Sequence, residues 1–551
     1  MFQALHGQSA IEYLMTYGWM LLVVAVVGAA VFSLAGERCT ESSSGFEGSD
    51  IMVQDFGVTD SGRLQVATRN AGSDTVNIKK IRFNDEDYTV NIGEEISVGS
   101  SSSFSVEGAV ESGCNSNDVT ITYDTGGLKN MQVSGSLTGQ FNVIDIFRQS
   151  PVCSEENYPQ KFEGTGNETD PYEISNIYDL QCMQSNLTAD YELINDIDAS
   201  NTEEWNRNES KGVYQGFKPI GGGTYNFLSV NNGCDTGDRF CGSLEGNGHQ
   251  ITNLHLNWSD KYYVGLIGYA HVEDQHNGVD VKNLDIAQSH VRGGRFTGTL
   301  IGRTAYDGSN IEGAEFENIR VSSGEVKTDG NEIGGLIGTS GFLQEGLRLD
   351  NSSFSGTVEG QNRTGGLIGR MRHFEDIINM SFSNGSVTGT NKVGGLVGEI
   401  DGANEYPIRQ SYSTMDVSGN NQVGGLLGYS KPAEPTLVVN QSFFAGNLNG
   451  GSKSGALYGE LKYKGLSGDD EYLNVYWDED KSGITNPDNC YGVKDSANIV
   501  VNCDSGNFNL GTDAMQGLNA DQNMVKLEFE SEGGPWRVQE GYYPALAWEL
   551  E

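Results

Sequence analysis

The chain has 551 residues, room for about three domains, and carries 75 acidic against 34 basic side chains, a formal charge of −41. That balance argues against nucleic acid as a partner, since such binding rests on Lys and Arg meeting phosphate, and it fits an exposed protein kept soluble by self-repulsion. Glycine is abundant at 75 residues and proline scarce at 10, with no three-residue period, which excludes collagen and points to turn-rich β structure.

The first predicted element follows Gly7 and Gln8. No charged residue stands between Glu12 and Glu37. About 20 apolar residues suffice to cross a bilayer as a helix, so a transmembrane or filament-core helix is expected over 8–38, behind a leader of 1–7. Glu12 is a lone ionisable group at the head of that helix and needs a partner, because an unpaired charge in lipid is costly. The combination resembles the class III leader and N-terminal helix of archaeal type IV pilins. The resemblance implies cleavage between Gly7 and Gln8. Glu12 would then pair with the N-terminal amine of a neighbouring pilin subunit and direct filament assembly. The leader carries no Lys or Arg, whereas such leaders are usually basic.

Eight cysteines follow the apolar run: Cys39, Cys114, Cys153, Cys182, Cys234, Cys241, Cys490 and Cys503. Their number is even and none forms a CxxC pair, so disulfides are expected in an exported protein. Sequence order pairs Cys39–Cys114, Cys153–Cys182, Cys234–Cys241 and Cys490–Cys503; order alone leaves other connectivities open.

From 39 to 145 the sequence is short alternating runs, such as Val76-Asn77-Ile78 and Val119-Thr120-Ile121-Thr122-Tyr123. Period-two alternation predicts half-buried strands, and seven or eight of them in about 100 residues predict a β-sandwich. In pattern and position this stretch resembles the β head of archaeal pilins. A linker is expected over 146–165. The region 166–255 reads as a cap and first coils, with a short helix over Ile177 to Leu187 and a strand around Tyr191 to Ile197.

Residues 256–460 are an internal repeat. A Gly-Gly-Leu-apolar-Gly unit stands at 334–338, 365–369, 394–398 and 424–428, with looser copies at 264–268, 298–302 and 455–459. Its leucines are Leu266, Leu300, Leu336, Leu367, Leu396, Leu426 and Leu457, spaced 34, 36, 31, 29, 30 and 31 residues apart. Ile286, Val321, Phe354, Phe382, Tyr412 and Phe443 keep step with them, as do Asn283, Asn318, Asn351, Asn379, Arg409 and Asn440. Like residues stacking above like residues are the mark of a solenoid, whose coils bury their core only against neighbours. Glycine at the corners is expected to supply backbone dihedrals that other residues avoid, and the asparagines an amide ladder at the bends.

The pentapeptide resembles the GLUG motif of bacterial and archaeal surface proteins. Over 166–551 that resemblance implies a right-handed parallel β-helix, with C-terminal coils and a cap over 461–551 ending in Tyr542-Tyr543-Pro544-Ala545-Leu546-Ala547-Trp548. The expected fold is therefore mainly β: an N-terminal hydrophobic α-helix, a small β-sandwich, then the solenoid.

Chemistry is sparse. The cluster His271-Val272-Glu273-Asp274-Gln275-His276 reads as a solvated insertion, and HExxH is absent. Ca²⁺ at Asp469-Asp470 or Asp478-Glu479-Asp480 is the only cofactor to consider, in a chain where acidic clusters arise by composition. Sequons stand at Asn167, Asn186, Asn208, Asn257, Asn351, Asn362, Asn379, Asn384 and Asn440; Asn167, Asn208 and Asn362 lie in predicted turns and are the better glycan acceptors. The reading that follows is a cell-surface, adhesin-like minor or tip pilin without enzymatic activity. Its partners would be pilin subunits through the helix, the membrane, and an extracellular glycan or cell-surface partner. A membrane-tethered carbohydrate-active enzyme and a singly anchored structural envelope protein fit the same residues less closely.

Overall fold

Strand pairing in the computed structural model is antiparallel before residue 141 and mostly parallel after 172. The structure describes residues 42–141 and 162–550, with 151 and 153, apart from short stretches of which 223–233, 463–473 and 495–508 are the longest. The expected leader and apolar helix, with Gly7, Gln8, Glu12 and Cys39, lie outside the described residues. Among the described residues no helix is long and apolar enough to cross a membrane. The chain divides into two units, 1–147 and 148–551.

In the first unit a five-stranded sheet pairs Ser42–Ser44, Leu128–Phe141, Gly113–Thr125, Val76–Phe83 and Glu86–Thr89, and a three-stranded sheet pairs Ile51–Val58, Leu64–Asn70 and Ser101–Val106. Alternation along these strands buries Ile51, Val53 and Val66 from one sheet with Ile78, Val119, Ile121 and Tyr123 from the other in a shared core.

In the second unit coils begin at Tyr172–Ile174, which pairs in parallel with Tyr191–Leu193; that strand pairs with Leu244–Glu245, and Leu244–Glu245 with Asp280–Ala287. The helix Ile177–Cys182 is capped by Asn176, whose side chain accepts from the N–H groups of Tyr178 and Asp179, and it turns Ile177 and Leu180 into the core. A middle coil shows the plan: Leu347–Asp350, Ser353–Glu359, Asn362–Gly365 and Ile368–Met371, each paired with its counterpart one coil on. The last strand of each coil belongs to an eight-stranded parallel sheet running from Ile267–Glu273 to Tyr491–Lys494. The seven repeat leucines form one buried column. The Leu300 N–H donates to Leu336 O at 3.0 Å, and Leu336 to Leu367, Leu367 to Leu396, Leu396 to Leu426 and Leu426 to Leu457 follow suit. Each such leucine contributes about 2 kcal/mol of apolar burial.

Three expectations about the repeat need correction. The pentapeptide glycines do not supply unusual dihedrals, since none of them has positive φ. They are needed for close approach: a Cβ on Gly366 would lie 1.9 Å from Gly395 O, and one on Gly398 would lie 2.5 Å from the Arg363 carbonyl carbon.

The apolar marker does not hold one register. Ile286, Val321 and Phe354 align, but their column continues as Ser383, Ser413, Phe444 and Trp477. Phe382, Tyr412 and Phe443 align with Ser353, one residue earlier, and a one-residue shift turns a side chain to the opposite face. These rings stack outside the coils at 4.9 and 4.8 Å, and the C-terminal segment covers them with Trp536, Tyr543 and Trp548.

The asparagines split likewise. Asn318 donates to Asn283 at 2.7 Å, but Asn379, Arg409 and Asn440 align with Asp350, not Asn351. Asn379 donates to Asp350 at 2.8 Å and Asn474 to Asn440 at 2.9 Å, so the amide ladder is broken rather than continuous, and a buried serine column runs beside it. The N–H groups of Ile319, Ser352, Ser381 and Ser411 donate to the hydroxyls of Ser352, Ser381, Ser411 and Ser442, each at 3.1 Å. Every one of these hydroxyls donates in turn to the carbonyl two residues back.

Candidate functional site

Two side-chain columns meet along one corner of the solenoid. The first lies three or four residues before each leucine: Tyr263, Phe296, Glu332, Arg363, Lys392, Gln422 and Lys453. All seven have left-handed backbone, with φ between 54° and 65°. That conformation costs about 1–2 kcal/mol for a residue with a side chain, so its recurrence in all seven leucine repeats marks the corner as an imposed feature. The final glycine of each pentapeptide makes room for it. A Cβ on Gly428 would lie 2.4 Å from the Lys392 carbonyl carbon, and one on Gly459 2.3 Å from that of Gln422. The second column lies three residues after each leucine, on the outer side of the eight-stranded sheet: Tyr269, Arg303, Thr339, Arg370, Glu399, Tyr429 and Glu460.

The columns interdigitate into one ladder. At its N-terminal end Tyr263 stacks on Tyr269 at 4.9 Å and on Phe296 at 5.2 Å, and the Arg303 guanidinium lies 5.4 to 5.9 Å from all three rings. Burial raises the Tyr263 hydroxyl above its ordinary pKa against the pull of Arg303. Next, the carboxylate of Glu332 meets Arg295 at 2.7 Å, Arg370 at 3.5 Å and Arg363 at 3.7 Å. Burial alone would raise this carboxyl, but the three guanidinium groups outweigh it and hold it below the usual range. Glu399 is ion-paired with Arg363, Arg370 and Lys392, and Lys392 also lies 3.9 Å from the centre of the Tyr429 ring. Burial lowers Lys392, with Glu399 opposing. At the far end Glu460 is bonded by Gln422 and Lys453, with Lys462 at 3.8 Å; they hold its carboxyl low despite burial.

The ladder is layered. Glu332, Glu399 and Glu460 are 0 to 4% exposed, whereas Arg295, Arg363, Lys453 and Lys462 are 26 to 40% exposed. Solvent therefore meets cations above a floor of buried carboxylates. Arg372 lies on the same face, where burial and the nearby Arg370 lower its pKa to about 10.

The cysteines occupy separate places. Cys153 is joined to Cys182, and Cys234 to Cys241. Cys490 is disulfide-bonded, while Cys39, Cys503 and the Cys114 side chain lie outside the described residues. His271 is buried with its Nδ1 3.2 Å from Arg239, and 274–278 are not described. Asp478 accepts from Lys481 N–H, Thr512 and Tyr543, and Asp480 accepts from Thr512 N–H. Among the described residues no group of three or more His, Cys, Asp or Glu is placed to hold a metal ion. The sequon serines after Asn379 and Asn440 are the buried bend serines Ser381 and Ser442, whereas Asn167 is exposed. The ladder escaped sequence reading: most of its members are charged or aromatic and stand three or four residues before, or three after, each leucine, but Gln422 and Thr339 break the pattern.

No family model matches the chain. A stretch of 184 residues, 32% of the chain, is 34% identical to Halomucin of Haloquadratum walsbyi. The chain spans only 2% of the length of that curated relative. A crystal structure from Bacteroides ovatus, described provisionally as an immunoglobulin A1 protease, is 17% identical with a TM-score of 0.38, over 70% of this chain and 94% of the other. At that score the likeness supports no inference. What stands is a mainly β chain whose larger part is a parallel β-solenoid.

Proposed function

We propose that this chain is a cell-surface, adhesin-like protein whose solenoid is a stiff rod that binds and does not catalyse. The observation that carries the reading is the register. Outward side chains recur once per coil, about every 4.8 Å, which suits a repetitive ligand held by many weak contacts. Cross-linked cysteines fit an oxidising exterior, and the similarity to Halomucin supports a place at the cell surface. On this reading the N-terminal segment is cut after Gly7, and Glu12 docks the chain among pilin subunits as a minor or tip component. The rod then meets an extracellular glycan or a partner cell. Mass spectrometry of the mature N-terminus should begin at Gln8, and Glu12→Ala should remove the protein from sheared filaments. Another first residue would refute the pilin part, and recovery from the cell interior alone would refute the surface role.

A further inference from the structure

We propose that the corner ladder and the adjoining outer face of the eight-stranded sheet form a docking strip for an acidic polysaccharide bearing carboxylate or sulfate groups. This rests on the surface-binding reading above and names the ligand chemistry. The net charge of −41 conceals a segregation. Along this strip three acids, Glu332, Glu399 and Glu460, are sunk beneath their partners. The cations above them keep donors toward solvent, as does Lys431, which is 56% exposed with its Nζ 3.9 Å from Asp401. Asp401, 29% exposed, also stands on this face, but it lies between Arg370 at 2.7 Å and Lys431 on the next coil, so cations still outnumber acids there.

Charge complementarity therefore calls for an anion, and three observations choose among anions. The strip follows the coil axis, and four successive coils about 4.8 Å apart carry Arg363, Lys392, Lys431 and Lys453, a spacing for an extended chain lying along the rod. At the N-terminal end of the ladder Tyr262 stands at the surface against the buried Tyr263 and Phe296, and an exposed ring face stacks on sugars. A DNA duplex carries one charge per about 1.7 Å and is broad, so the rest of this strongly acidic chain repels it within a Debye length of about 10 Å. A thin polymer of lower charge density can lie on the strip alone. Guanidinium groups already oriented by buried carboxylates would bind it with little ordering cost.

The test uses the full chain with polygalacturonate and dextran sulfate as probes, neutral dextran and duplex DNA as controls, and binding read by interferometry at low salt and then rising salt. Lys431→Glu with Lys462→Glu alters exposed residues; Glu460 loses Lys462, 3.8 Å away, but keeps Lys453 and Gln422, and Glu332 and Glu399 keep all their partners. Lys211→Glu with Lys327→Glu makes the same charge change elsewhere. Both acidic polymers should bind and neutral dextran should not. The first double variant should weaken binding about tenfold and the second by less than twofold. No binding of either acidic polymer, equal loss in both double variants, or tighter binding of DNA would overturn the proposal. So would sedimentation showing that the strip instead holds a second copy of the chain. Failure here leaves surface display standing, because display is read on cells.

Discussion

Gly398→Ala tests why the repeat needs its final glycine. The added Cβ would lie 2.5 Å from the Arg363 carbonyl carbon, 2.5 Å from Thr364 N and 2.6 Å from Gly369 O, all backbone. Ordinary contact is about 3.4 Å or more, so two coils must part by nearly 1 Å locally. Overpacking by one methyl costs about 1–3 kcal/mol, and three rigid neighbours place this site at the upper end. Stretching the adjoining coil-to-coil hydrogen bonds adds about 1 kcal/mol, for a total of about 3–4 kcal/mol. Gly511→Ala is the control, since its Cβ would meet only the Asp480 carboxylate, at 3.1 Å, and should change stability by less than about 1 kcal/mol. Denaturant midpoints followed by circular dichroism would rank the two. Gly398→Asn is decisive. If the glycine served a left-handed dihedral, Asn would be tolerated better than Ala, and that order would refute the close-approach argument.

Ser381→Ala leaves the Ser352 N–H without its acceptor and should cost about 1–3 kcal/mol by the same measurement. Trp548→Ala uncovers the Phe382 ring and removes the bond to Met380 O, so it should destabilise by about 2–3 kcal/mol and alter tryptophan fluorescence. Burial raises the Asp376 carboxyl from 3.8 to about 6 against four hydrogen bonds that favour its anion. A group easier to protonate when folded stabilises fully below its ordinary value, so this contribution, about 3 kcal/mol, should be lost as pH rises from about 4 through 6. Asp376→Asn should remove that slope in melting temperature. Glycopeptide mass spectrometry should find Asn379 and Asn440 bare, because the sequon serine is buried, and should find any glycan at turn sites such as Asn167.

The solenoid was legible because its signal is a period. Leucines at 29 to 36-residue spacing, each inside a glycine unit, place themselves in one column whatever the coil does between them. What lay between was harder to read. Phe354 and Phe382 stand 13 and 14 residues before the next leucine, and that single residue puts them on opposite faces of strands paired without a break in register. The offset matters through its consequence, serines at the inward position and rings at the outward one beneath the C-terminal tryptophans. The corner ladder was missed for a different reason. Its positions vary among Glu, Arg, Lys, Gln, Thr, Tyr and Phe, so no single residue type marks the column; the constant of the first column is a left-handed backbone, which sequence shows only when Asn or Gly takes it.

The central claim is that this solenoid stands outside the cell and binds through its surface. Intact cells treated with a membrane-impermeant amine label, then analysed by peptide mass spectrometry, test it most directly. Lys431 and Lys462 are among the exposed lysines of the strip and should be labelled without lysis. Acidic polysaccharide added beforehand should protect them but not Lys327. Labelling that appears only after lysis would contradict the account.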